Sequence, residues 1–62
     1  MVYTVEYSFW ATDKLRSDKV QAESPQEAMR KIRDLYYEER ARAPSWIRAI
    51  DELGNITEYV ED

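Results

Sequence analysis

The chain has 62 residues, with 9 basic and 13 acidic side chains, a net charge of −4 at pH 7, and neither Cys nor His. This composition excludes disulfides, thiolate metal sites and nucleophilic catalysis by a Ser–His or Cys–His pair. The acidic balance argues against direct nucleic-acid binding, and no apolar run is long enough to span a bilayer. We therefore expect a single domain over residues 1–62, in the cytoplasm, that is not an enzyme and needs no cofactor.

Two strands are predicted in the first part of the chain. Residues 2–10 alternate with a period of two, and one face of this strand carries Tyr3, Val5, Tyr7 and Phe9. The opposite face is also partly apolar, which is typical of a central strand. A shorter strand is predicted over residues 18–23, where Val20 and Ala22 alternate with polar residues, as in an edge strand.

A helix follows, with a clear start signal. Ser24 is predicted as the N-cap, Pro25 as the first helical residue, and Glu27 as the partner of Ser24 in a capping box. The apolar stripe of this helix is predicted to comprise Ala28, Met29, Ile32, Leu35 and Tyr36. Pro44 disfavours helical geometry in the preceding residue, so the helix should end by about Arg42.

The chain closes with a predicted hairpin of two strands, residues 46–50 and 56–60. Gly54, the only Gly in the chain, or Asn55 should supply a positive φ in the turn. The element order is therefore ββαββ. A right-handed crossover predicts an α+β fold with a four-stranded antiparallel sheet in the order 2-1-3-4 and the helix on one face.

The sequence is rich in aromatic residues, and one helix covers only one face of a sheet. We expect Trp10 on the uncovered face, joined by Trp46 or Ile47 and by Tyr59 or Val60 according to register. These rings either complete the core or anchor an interface, in which case the acidic hairpin would meet a basic surface of another protein. The predicted partner-binding residues are Trp10, Trp46, Asp51, Glu52, Glu58 and Tyr59.

A second candidate surface lies at the end of the helix. Arginine binds phosphates and tyrosine stacks on bases, so a small anionic nucleotide is an alternative ligand. The predicted ligand-binding residues are Arg33, Tyr37, Arg40 and Arg42. The other interpretation of this segment is a solvated helix surface with ion pairs along the helix.

The stretch Val20–Ala28 resembles the strand-to-helix junction of HicB-like antitoxins and of short phage-encoded accessory proteins. The chain differs from the HicB-like family in lacking a Gly-rich second strand. Its small size, acidity and ββαββ order without catalytic residues resemble phage proteins that antagonise host defence. That resemblance implies a viral inhibitor that acts in the host cytoplasm by occupying a host protein.

Two other functions stay open: an oligomeric sponge that sequesters a small anionic nucleotide, and a structural or assembly subunit. We also expect self-association into a homodimer, because a domain of this size gains stability from further burial.

Overall fold

The computed structural model describes residues 1–9, 14–40 and 44–59, except the side chains of residues 39 and 40. The elements, in chain order, are β1 (Val2–Ser8), β2 (Arg16–Gln21), α1 (Pro25–Arg40), β3 (Trp46–Ile50) and β4 (Ile56–Tyr59). The strands form one antiparallel sheet in the order β2-β1-β3-β4, and α1 packs against one face of it. The predicted α+β fold and strand order are confirmed.

The strand bounds follow backbone pairing more closely than hydrophobic alternation. β2 runs from Arg16 to Gln21, two residues earlier than predicted, because Tyr7 of β1 pairs with Arg16 and Val2 with Gln21. The polar start of β2 has no alternation that could mark it in the sequence. β1 ends at Ser8, and the predicted last residue, Trp10, lies outside the described residues.

The core lies between the sheet and α1. The strands contribute Tyr3, Val5, Tyr7, Phe9, Ile47 and Ala49, and the helix contributes Ala28, Met29 and Ile32. Leu35 departs from the predicted stripe, because its side chain is 47% exposed. It lies at the margin of the helix that faces the β2 edge, where no further strand covers it among the described residues.

The start of α1 is capped by side chains. Ser24 Oγ accepts a hydrogen bond from the Glu27 N–H at 3.1 Å, as in a capping box. Glu27 reaches back one residue further than predicted, because its Oε2 accepts from the N–H of Glu23 at 3.3 Å. Lys31, one turn later, donates to the Gln21 carbonyl at 2.9 Å and so ties the helix to β2.

One hydroxyl network lies at the edge of the core. The buried Tyr7 hydroxyl donates to the Asp18 carboxylate on β2 and is 2.8 Å from the Tyr36 hydroxyl on α1. Since Tyr7 has a single hydroxyl proton, Tyr36 must be the donor in the second bond. Burial raises the pKa of Tyr7 well above its usual range, and the hydrogen bonds to Asp18 and Tyr36 contribute to the same increase. The network therefore links β1, β2 and α1 through polar contacts.

Candidate binding surfaces

The sheet face opposite α1, called here the open face, is covered by no described element. Alternation along each strand assigns to it Val2, Thr4, Glu6, Ser8, Ser17, Lys19, Gln21, Trp46, Arg48, Ile50, Ile56 and Glu58. The register Tyr7↔Ile47 places Ile47 under the helix and therefore sends Trp46 to the open face. One predicted partner-binding aromatic is thus located there.

The Trp46 indole is half-buried and held by polar neighbours. Its Nε1 donates to Glu58 Oε1 at 2.7 Å, and the guanidinium carbon of Arg48 lies 5.0 Å from the ring centroid. Arg48 in turn donates from Nε to Glu6 Oε1 at 2.6 Å. These contacts fix the orientation of the indole on the sheet before any partner binds, which lowers the entropy cost of using it as an anchor.

The opposite end of the open face is apolar. Ile50 pairs directly with Ile56, and Val2 lies at the same end because its N–H donates to Glu52 Oε1 at 3.3 Å. Two of the exposed large apolar side chains of the described residues belong to this end: Val2 and Ile56. The open face thus combines an oriented indole, a polar centre and an apolar end.

Asp51 is a turn-forming residue as well as a negative charge. Its Oδ1 accepts from the N–H groups of Leu53 and Asn55 at 2.9 and 2.8 Å, and its Oδ2 accepts from Asn55 Nδ2 at 2.9 Å. Gly54 follows with φ of +89°, which confirms one of the two positions predicted for positive φ. A partner that contacts Asp51 would share its carboxylate with these donors.

We expect Asp51 to make the native state sensitive to acid. Hydrogen bonds from the Asn55 side chain and backbone lower its pKa below the usual value. A lowered pKa in the folded state contributes stability that is present above the unfolded value of about 3.9 and is lost as pH falls through the folded value. NMR titration of the Asp51 carboxyl carbon should give a midpoint below that of the urea-unfolded chain. A midpoint equal to or above it would contradict the turn assignment.

Tyr59 lies on the helix side of the sheet, away from Trp46. The register Ile47↔Tyr59 places both side chains on the same face, and the Arg33 guanidinium carbon is 4.6 Å from the Tyr59 ring centroid. The grouping of Tyr59 with Trp46 in one anchor surface is therefore wrong. The sequence could not decide between Tyr59 and Val60, because both sides of this strand carry apolar residues.

A groove of about 320 Å³ lies between α1 and β4, and its lining is Gln26, Met29, Arg30, Arg33 and Tyr59. Arg33, one of the predicted ligand-binding residues, is in this groove. Tyr37 is one helical turn further on and 65% exposed. Arg42 and the side chain of Arg40 lie outside the described part of the chain, as do Trp10 and Val60.

Sequence reasoning did not name Glu6 and Arg48 as candidate site residues, although Glu6 falls on the face of the first strand opposite Tyr7. Both lie on the open face by strand alternation, and the ion pair between Arg48 Nη2 and Glu6 Oε1 is 2.5 Å long. Charged residues at alternate positions of two neighbouring strands were the available signal.

Within the described ranges, no helix is long and apolar enough to cross a membrane, and no three Asp or Glu side chains converge on a metal-sized space. Comparison of the chain with protein-family models, with curated protein sequences and with solved structures found no significant match.

Proposed function

We propose that this chain is a non-catalytic binding protein that inhibits a partner protein by covering one of its surfaces with the open face. The observation that carries the proposal is the Trp46 indole, oriented by Glu58 and Arg48 on a sheet face without a covering element in the described structure. Trp and Arg are the residue types most enriched at the energetic centres of protein interfaces. The exposed Val2 and Ile56 extend the apolar contact area.

The charge of the chain favours a partner with a basic surface. Glu52 and Glu58 are exposed at the hairpin, and the chain as a whole carries −4. Such charges increase the rate of association with a cationic surface and make that rate fall with salt. The resemblance to phage proteins that antagonise host defence points to a bacterial host protein as the partner.

The experiment is affinity capture from bacterial lysate, followed by binding measurements on the purified captured protein. We expect Trp46→Ala to weaken binding by about 2 kcal/mol or more, the loss typical of a central Trp anchor. Tyr37→Ala is the matched control, since Tyr37 is an exposed aromatic on the helix. A captured partner that binds Trp46→Ala and the wild type equally would remove the open face from the proposal.

The charge component needs a separate variant. Glu52→Lys is suitable because Glu52 is exposed and its hydrogen bond to a described residue is a long one, at 3.3 Å, from the Val2 N–H. Reversal of Asp51 would instead break the turn, and reversal of Glu58 would release the indole. Glu52→Lys should slow association without changing dissociation.

A nucleotide sponge is the second candidate, and the groove between α1 and β4 favours it. Stacking on Tyr59 orients the Arg33 guanidinium, and Arg30 lines the same groove. Two guanidinium groups, each able to donate paired hydrogen bonds to a phosphate, therefore lie at this groove. A thermal-shift screen against linear and cyclic nucleotides tests it, because a ligand that binds only the native state raises Tm. Arg33→Ala should abolish any shift caused by binding in this groove.

A further inference from the structure

β2 is one of the two outer strands of the sheet, and among the described residues no strand pairs with its outer side. The Ala22 N–H donates to the Met1 carbonyl at 2.9 Å, one residue beyond the pairing of Val2 with Gln21. In an antiparallel ladder the bonded pairs alternate, so Arg16, Asp18 and Val20 bond to β1 while the N–H and C=O groups of the residues between them point away from it. The Gln21 carbonyl confirms this direction, since it accepts from Lys31 on the outside.

A groove runs along this outer side, between β2 and α1. Its volume is about 670 Å³, and its lining residues include Val20, Ile32, Leu35 and Tyr36. Leu35 belongs to the apolar stripe of the helix by spacing, yet 47% of it remains exposed here. The space beside β2 thus combines a mixed lining, in which Val20, Ile32 and Leu35 are the apolar contacts, with strand backbone groups that β1 does not pair.

The charge beside this edge is opposite to that of the whole chain. β2 and the residues leading into it carry Lys14, Arg16 and Lys19, while Asp18 is the one carboxylate within β2 and accepts from Tyr7. Lys31 on the helix side of the groove is paired with Glu27 at 3.5 Å, so the excess of positive charge comes from β2 and the residues leading into it. An occupant with acidic side chains is therefore complementary to this edge. Pairing of two β2 edges with each other would instead bring together two segments that each carry an excess of cations.

We infer that the groove between β2 and α1 binds an extended, acidic segment of a partner protein, which adds to β2 as a further strand of the sheet. Backbone bonds to Ser17 and Lys19 would supply affinity, and alternate side chains would supply specificity. Side chains of the added strand that face α1 should be apolar, to contact Leu35 and Val20. Those on the other side should be acidic, to lie near Lys19. This surface meets the open face only at the side chains of β2, does not include Trp46, and goes beyond the proposed function.

The probe is a short synthetic peptide of alternating Val and Glu, added to the full chain labelled with 15N and 13C. We expect the amide signals of Ser17 and Lys19 and the methyl signals of Leu35 to shift with peptide. N-methylation of alternate peptide amides should weaken binding about tenfold, since it removes at least one backbone hydrogen bond. A peptide of alternating Val and Lys should bind more weakly.

Two variants and one control locate the site. Lys19→Glu, at an exposed position, and Leu35→Asp should each weaken peptide binding, whereas Leu53→Asp, at a residue 84% exposed in the hairpin turn, should not. Trp46→Ala should bind the peptide like the wild type, so failure of this inference is distinguishable from failure of the open face.

The inference is overturned if the peptide shifts no signal of β2, or if N-methylation leaves its affinity unchanged. It is equally overturned if the free protein has the mass of a dimer in which the Ser17 and Lys19 amides are protected from hydrogen exchange, because a second copy then occupies the edge.

Discussion

Replacing Ile47 with Ala is expected to lower the free energy of unfolding by about 2–5 kcal/mol, the range for loss of buried Ile side-chain carbons together with the cavity left behind. Ile47 is 1% exposed and lies on β3, an interior strand of the sheet, where it is paired with Tyr7 on one side and Tyr59 on the other. Neither neighbour can easily fill the space, because Tyr7 is fixed by hydrogen bonds and Tyr59 by Arg33.

Such a loss is large for a domain of 62 residues, which buries only about 60% of the surface that its unfolded chain exposes. Urea unfolding followed by circular dichroism measures it, and the denaturation midpoint should fall sharply. The matched control is Ile56→Ala, the same substitution in the same sheet at a position 57% exposed on the open face. Its effect should stay within about 0.5 kcal/mol. Equal losses at the two positions would contradict the assignment of Ile47 to the core.

The hairpin shows where the sequence pattern was sufficient and where it was ambiguous. A Gly-containing turn between two β-branched segments predicts the hairpin, and β3 has the predicted bounds, Trp46–Ile50. The pattern did not decide which face of β3 lies under the helix, because Trp46 and Ile47 are both apolar and adjacent. The backbone register with β1 decides it, and register depends on a partner strand far away in sequence.

The position of Asp51, directly before a turn that contains Gly, predicts a turn-forming role, but from the sequence this residue was interpreted only as a negative charge. An Asp before a turn that contains Gly commonly accepts hydrogen bonds from backbone N–H groups ahead of it. Its chemistry predicts the observed bonds to Leu53 and Asn55 as well as it predicts a binding charge. At this residue, stabilisation of the turn is therefore an alternative explanation to partner binding.

β2 was the hardest element to place from the sequence, and the reason is physical. Arg16, Ser17 and Asp18 carry no hydrophobic alternation, and they are strand residues because the backbone of β1 pairs with them. The consequence for function is that a polar edge strand beside a helix, with backbone groups that β1 does not pair, cannot be recognised without the topology.

Replacing Tyr7 with Phe is expected to destabilise the chain by about 1.5 kcal/mol at neutral pH, the lower part of the range for hydrogen bonds to charged groups, because the Asp18 carboxylate is exposed to water. The loss should grow smaller as the pH rises above about 10, the usual pKa of tyrosine. Burial raises the pKa of Tyr7 in the native state, so the native chain holds this proton at pH values where the unfolded chain releases it.

A raised pKa in the folded state contributes stability that is fully present below the unfolded value and is lost as pH rises above it. The wild type should therefore lose stability in alkaline solution more steeply than Tyr7→Phe. The free energies of unfolding of the two proteins should converge as the pH rises. Urea unfolding at a series of pH values from neutral to alkaline measures this. Tyr37→Phe is the control, because its ring is 65% exposed, and it should follow the wild type throughout. If Tyr7→Phe kept the alkaline slope of the wild type, the Tyr7 hydroxyl could not be the buried donor that joins β1, β2 and α1.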